Sequence, residues 1–412
     1  RKNHRREPGV KTLEIWLINH YAVTPELSGG TRHFELGRTL SARGHNVTLF
    51  ASSFHHNSHR HVREHRGWRP VVEEHQGVRF VWIPGLEYKG NGVRRLLGML
   101  YFCLLLVPTA LKVRPEPDVI VGSSVHPFAA LTGWILAKLN GVPAVTEIRD
   151  LWPQTLIESG VSSRHPFILL LAFVERFLYR YSDAVITLLP KAHDYIRSRG
   201  GEHVYWVPNG IDMECYSPPE PVPQNSQFTV LYAGAFGHAN NLEVMVEAAR
   251  LLEGEAVRFR LVGEGPEREK LVSLAEGLRN FEILPPVPKR EVPALLRSAD
   301  ALVFHLRSIP VFRYGISPNK LWDYLAAGRP ILFACEAGND PVAEAGAGLS
   351  LPPENPRALA EAVLALSQLS PQERSAMGRR GYEYGLANHS FQMLGLRLEE
   401  ILLNVCEARL KR

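Results

Sequence analysis

Lys320 and Asp323 stand three residues apart in the stretch GISPNKLWDYLAAGRP (residues 315–330), a cation and a carboxylate on one helical face. Ser317 followed by Pro318 reads as an N-cap and a first helical residue, with Gly328 and Pro330 as the stop. Lys320 then falls in the first turn, where the helix dipole disfavours a cation by about 0.3–1 kcal/mol. An anion docked at the helix start, against the amides around Asn319, reverses that cost. A diphosphate is such an anion: amides and ammonium meet its oxygens, and Asp323 accepts hydrogen bonds from ribose hydroxyls. The simpler reading is a surface pair between Lys320 and Asp323 worth a few tenths of a kcal/mol.

Three glycine-bearing loops could serve the same ligand. Gly29 and Gly30 follow the first strand pattern and precede a helix, where backbone amides can receive a phosphate. Gly234 and Gly237 (YAGAFGHANN) follow the first strand of the second half, and VGEGPEREKL (262–271) brings Gly263, Glu264 and Gly265 after its second. None is a G-x-G-x-x-G fingerprint, so a dinucleotide site is disfavoured. Taken together they favour a phosphorylated nucleotide.

The elements that must position these loops alternate along the chain. Strand patterns at 13–21, 47–52, 78–84, 118–124, 143–148, 183–188 and 204–208 give way to the Pro-rich SPPEPVPQNSQ (217–227). Strands then restart at 228–235, 257–265, 281–287, 301–306 and 331–335. Short apolar runs alternating with helical patterns argue for α/β architecture with parallel sheets. We expect an N-terminal Rossmann-like domain (1–216), a linker (217–227), a second such domain (228–390) and a C-terminal helix (391–412) able to pack back on the first, with the two domains facing a central cleft.

With 412 residues and a net charge of +5, the chain is globular and mildly basic. Its four cysteines lie far apart and read as reduced thiols. The N-terminal RKNHRREPGVK is basic and lacks the apolar core of a signal peptide; a solvated tail and a lipid-attracted one are both open. FHHNSHRHVREHRGWRP (54–70), with five histidines, is expected as a mobile surface loop rather than a metal site. LLGMLYFCLLLVPTAL (96–111) holds sixteen residues without a charge, flanked by Arg94, Arg95, Lys112 and Arg114. That is short of the roughly 20 needed to span a bilayer. A fully buried core helix and a helix dipping into one leaflet both remain open.

SGGTRHFELGRTLSARGHNVTLF (28–50), YSDAVITLLPKAHDYI (181–196), VYWVPNGID (204–212), LVGEGPEREKL (261–271), PPVPKREVPALLRSADALVF (285–304) and SPNKLWDYLAAGRPIL (317–332) resemble the retaining GT-B glycosyltransferases of family 4. YKGNGVRRLLGMLYF (88–102), EIRDLWPQ (147–154) and SPNKLWDY resemble the bacterial branch containing the L-fucosamine transferase of O-antigen and capsule assembly. The resemblance implies a GT-B fold whose N-terminal domain presents the acceptor, with His126, Tyr88, Arg94 and Arg95 as candidate acceptor contacts. It implies donor contacts at Gly29, Gly30, Gly234, Gly263, Glu264, Ser317, Pro318, Asn319, Lys320 and Asp323, and uracil contacts at Val287 and Pro288. Asp150, Arg149, Glu147 and Lys320 are the candidate catalytic residues.

The chain departs from the family in three places. The E-x7-E pair falls on Gly315 and Asp323, and the basic diphosphate pair falls on Ala235 and near Asn240–Asn241. The histidine often found near the donor sugar falls on Arg149. Lys320 would replace the missing cations.

The expected activity is retaining transfer of a sugar, such as an N-acetylated deoxyhexosamine, from a UDP-sugar to a polyprenyl-diphosphate-linked acceptor. No metal and no cofactor beyond the UDP-sugar substrate is implied. The expected partners are the nucleotide-sugar, the lipid-linked saccharide and the inner membrane surface, with no nucleic acid. The implied location is cytoplasmic, peripherally attached to the inner face of the plasma membrane. Two alternatives stand beside it: a UDP-GlcNAc 2-epimerase-like enzyme, and a membrane-bound scaffold of the same fold without catalysis.

Overall fold

β-branched and aliphatic runs that are buried on both faces favour parallel sheets covered by helices, and two such sheets form here. The structure, a computed structural model, describes residues 12–27, 29–56, 58–90, 92–221 and 225–411, so the basic N-terminal stretch lies outside the described residues. The chain divides into two units, one running to Pro208 and resuming at Phe391, the other Asn209–Ser390.

In the first unit the strands are β1 (Glu14–Ile18), β2 (Asn46–Ser52), β3 (Phe54–His55), β4 (Arg60–His61), β5 (Val71–His75), β6 (Val78–Ile83), β7 (Val119–Ser123), β8 (Ala144–Ile148), β9 (Ala184–Thr187) and β10 (Val204–Trp206). Eight of them form one sheet in the order β10-β9-β8-β7-β1-β2-β6-β5, parallel except for the β5–β6 pair. Alternation along β1 divides the core. Ile15 and Leu17 face a layer that includes Phe34 and the C-terminal helix Phe391–Leu410, whereas Trp16 and Ile18 face Phe102, Leu106 and Leu136. Glu399 anchors that C-terminal helix, accepting from His45 Nε2 at 2.9 Å and from Arg43, while His45 Nδ1 accepts the Leu13 N–H.

The apolar run forms the helix Val93–Ala110, and it is neither wholly buried nor apolar against protein on every side. Gly98, Phe102, Leu106 and Ala110 face the sheet at four-residue spacing, while Val93, Leu97, Leu100 and Leu104 face outward, Leu104 72% exposed. The histidine-rich stretch lies largely at the surface but begins with ordered, buried residues. β3 and β4 pair as a short antiparallel ladder, and His55 is buried.

The second unit carries β11 (Phe228–Ala233), β12 (Val257–Val262), β13 (Phe281–Leu284), β14 (Ala301–His305), β15 (Ile331–Ala334) and β16 (Gly348–Leu351), all parallel, in the order β13-β12-β11-β14-β15-β16. This is the 3-2-1-4-5-6 order of a Rossmann sheet, whose ligand crevice lies beyond the strand ends where the order reverses, between β11 and β14. The change of unit at Asn209 precedes the Pro-rich stretch expected to be the linker. Its described part is fastened to the second unit: Arg329 Nη1 donates to the Glu220 carbonyl at 3.0 Å and Arg297 Nη1 to Ser217 Oγ at 2.6 Å. Prolines lack N–H groups, but their neighbours' carbonyls still require donors, and these arginines supply them.

Candidate active site

Beyond β11 and β14 the second unit holds a cation without a carboxylate. Lys320 Nζ donates to Tyr232 Oη and, at 2.8 Å, to Asn240 Oδ1. It also lies 4.5 Å from the Tyr232 ring centroid, and no carboxylate pairs with it among the described residues. Burial lowers the ammonium to about 7, because neutral oxygens and a ring face replace water only in part. The holders are themselves held. Tyr232 O–H and Asn240 Nδ2 both donate to the Ala235 carbonyl, at 2.7 and 3.0 Å. His305 Nε2 accepts the Glu354 N–H, so its Nδ1–H donates to the Asn240 carbonyl at 2.8 Å.

The helix carrying Lys320 runs Asn319–Ala327, so Ser317 is not its N-cap. Ser317 Oγ instead accepts the Asn209 N–H at 2.8 Å, and Pro318 occupies the cap position with extended backbone. The amides of Asn319 and Lys320 open the helix, and Leu321 N–H turns back to the Pro318 carbonyl. Asn339 clamps the preceding loop, accepting the Ile316 N–H and donating to the Ile316 carbonyl. Within that loop Gly315 has φ 98° and ψ 169°, a region only glycine occupies without strain of about 1–3 kcal/mol. The family's first glutamate would be strained on this backbone.

Asp323 faces away from Lys320, and the surface pair between them does not form. Its Oδ1 accepts the Tyr216 O–H at 2.9 Å, and burial raises the carboxyl to about 6. Gly263 is glycine for a loop-to-loop contact: with φ 155°, a Cβ there would meet the Gly234 carbonyl oxygen at 1.9 Å. Gly234 thus closes against Gly263 and borders Lys320. Glu264 is exposed and pairs with Arg268 at 3.5 Å. Val287 is half-buried, and the Pro288 carbonyl accepts the Glu291 N–H within a short turn.

The first unit has its own cavity of about 310 Å³ beyond β1, β2, β7 and β8. It unites Gly29, Gly30, Arg95, Arg149 and Asp150 with Asn19, His20, Tyr21, His55 and His56. Asp150 keeps open surface at the cavity wall, and desolvation raises its carboxyl against the pull of Arg149. His126 and Tyr88 stand behind the lining: His126 meets His20 at 2.9 Å, and the Tyr88 hydroxyl meets His56 Nδ1 at 3.1 Å. Arg94 is exposed and outside the cavity lining.

Glu147 does not line this cavity. Its carboxylate accepts from Ser123 Oγ at 2.8 Å and from Arg32 Nε at 2.9 Å, and it pairs with His33 Nε2 at 2.9 Å. Burial pushes that carboxyl up, yet Arg32 and His33 outweigh it and hold the group well below the usual carboxylate range. Arg32 also donates to the carbonyls of Val207 and Pro208. Glu147 therefore ties the end of β8 to the segment after β10, and its place is structural.

Sequence reasoning missed Tyr232, Tyr216, His20 and the two asparagine clamps. Tyr232 sits in an apolar strand and looks like core, so nothing in its local pattern marks the hydroxyl.

Residues 29–210 match the glycosyl transferase 4-like domain, and residues 227–368 match the glycosyl transferases group 1 domain. The chain is 27% identical over 346 residues to the putative colanic acid biosynthesis glycosyl transferase WcaI of Escherichia coli K12, covering 78% of this chain and 83% of that protein. Among solved structures it resembles sucrose-phosphate synthase from Thermosynechococcus elongatus, with TM-score 0.76 at 19% identity over 96% of this chain and 100% of that one. It also resembles Anabaena Alr3699/HepE in complex with UDP and glucose, with TM-score 0.65 at 13% identity over 95% and 100%. The fold is GT-B, and the chain carries the two domains of a glycosyltransferase.

Two outcomes follow from this geometry. Glu147→Ala leaves Arg32 buried without its carboxylate, so urea unfolding should show a loss of about 3–5 kcal/mol; unchanged stability would remove Glu147 from its structural place. A diphosphate docked at Lys320 would give it a charged partner, and its binding should then take up a proton above pH 7. UDP affinity, measured by calorimetry, should then fall as pH rises from 7 to 9, by up to about tenfold per unit. Lys320→Arg should flatten that dependence, and equal slopes in both proteins would contradict it.

Proposed function

We propose that this chain transfers a sugar from a UDP-sugar to a lipid-linked saccharide acceptor during assembly of a bacterial surface polysaccharide. The observation that carries the reading is Lys320, a recessed ammonium with only neutral partners at the switch point of a Rossmann sheet. The leaving nucleoside diphosphate gathers negative charge as the glycosidic bond breaks, and preorganised donors there stabilise it. Lys320 and the amides of Asn319 and Lys320 provide them where the family's basic pair is replaced by Ala235 and Asn240. This arrangement works without a metal ion. The acceptor oxygen attacks from the face the phosphate leaves, which retains configuration, and the departing phosphate takes the acceptor proton, so no strong protein base is needed. Asp323 and Tyr216 receive the ribose, Val287 and Pro288 the uracil, and the first-unit cavity the acceptor, with Arg149 and Asp150 on its hydroxyls.

Uridine as the nucleoside is supported by the UDP bound to the Anabaena protein, and polysaccharide assembly by the colanic acid role in the name of WcaI. A lipid-linked acceptor is supported by the outward face of the Val93–Ala110 helix, which presents Leu97 and Leu104 beside Arg94. This helix meets the inner face of the plasma membrane, and the protein is cytoplasmic and peripheral.

Lys320→Ala should lower turnover at least about a hundredfold and abolish detectable UDP binding while the chain stays folded; near-normal turnover would end the diphosphate reading. If the unsubstituted chain also fails to bind UDP, it is a scaffold rather than a transferase. Leu97→Glu with Leu104→Glu should cut binding to anionic vesicles by about tenfold or more. Melting should hardly change, because both side chains are exposed. Undiminished vesicle binding would remove this helix from the membrane.

A further inference from the structure

The first-unit cavity is lined by several hydrogen-bond donors and by a single carboxylate, that of Asp150. His20 and His126 are each 2% exposed and hydrogen-bonded, Nδ1 to Nε2, at 2.9 Å. The direction of that bond follows from the helix that His126 caps. Its Nδ1 accepts the Ala129 N–H at 3.2 Å, so in the neutral ring the proton sits on Nε2 and is given to His20 Nδ1. His20 is thereby left with its own proton on Nε2, and that N–H has no acceptor among the described residues. Stacking against Tyr21 and Phe102, both at 4.4 Å, holds the ring in place. Burial, with His126 and Arg95 beside it, keeps His20 neutral, and burial pushes His126 down to about 3. A second donor, Trp152 Nε1–H, is buried in the same lining without a partner. Arg95 and Arg149 add positive charge, against the single carboxylate of Asp150 on exposed surface.

We infer that this cavity seats a phosphoryl oxyanion of the acceptor, with His20 as a fixed neutral donor and His126 as the residue that positions its proton. An oxyanion gives an acceptor both to Trp152 Nε1–H, which is buried without a partner, and to the His20 Nε2–H, while Arg95 and Arg149 balance its charge. The inference rests on the reading of the first unit as the acceptor unit. The phosphoryl group belongs either to a lipid diphosphate or to a phosphorylated sugar.

The test uses the full chain carrying Lys320→Ala, which removes the other oxyanion seat, titrated by calorimetry with inorganic pyrophosphate, geranyl diphosphate and glucose 1-phosphate. At least one should bind. His20→Phe keeps the ring stacking and deletes both nitrogens, and should weaken binding about tenfold or more; His20→Gln, which retains an N–H donor, should recover most of it. His126→Asn keeps a capping side chain, and nitrogen NMR of His20 should change from one tautomer to a mixture. Tighter geranyl diphosphate assigns the oxyanion to the lipid, and tighter glucose 1-phosphate to the sugar. Failure of all three ligands, or equal affinity in His20→Phe, overturns the proposal. UDP takes no part in this titration, so its failure and that of the donor reading are separate.

Discussion

In the second unit, the Lys320 ammonium is buried with no carboxylate partner among the described residues. Lysine ammonium groups leave water at a cost, and protein interiors normally return it with a carboxylate. Here Lys320 receives the oxygens of Tyr232 and Asn240 and the rings of Tyr232 and Phe304. The loops after β11 and β14 are arranged to hold those two oxygens still, through the Ala235 carbonyl and through His305. Such a charge is poorly satisfied in the free protein and well satisfied beside a phosphate. On the proposed reading, that difference is what binds the leaving diphosphate.

Much of the fold was legible because it rests on hydrophobic periodicity. The expected strand patterns correspond to β1, β2 and β6 through β15. Four strands were missed: β3 and β4 are two residues each, β5 (VVEEH) carries charge on an exposed edge, and β16 (GLSL) is four residues beginning with glycine. The Pro-rich stretch reads as a spacer because the donors its backbone meets, Arg297 and Arg329, lie about eighty to a hundred residues further along the chain.

The site was legible in outline and not in detail. The odd placement of Lys320 was visible as a cation near a helix start. What holds it was not, since Tyr232 is one aromatic residue among several in apolar strands. EIRD reads as three functional residues, yet Glu147 is consumed by Arg32 and His33, partners more than a hundred residues away. Only Arg149 and Asp150 reach the cavity. Gly315 reads as the loss of a catalytic glutamate; its backbone shows a loop rebuilt around glycine, with Asn339 and Asn209 as clamps.

The first unit has its own buried donor without a partner, Trp152 Nε1–H, beside the hydrogen-bonded His20–His126 pair. The most direct test of the account is the ionisation of Lys320 itself, followed by carbon NMR of the labelled Cε with and without UDP. The account predicts a midpoint near about 7 in the free protein, rising above about 9 when UDP is bound. A midpoint near the ordinary lysine value in both states would show that Lys320 is neither buried nor a diphosphate seat.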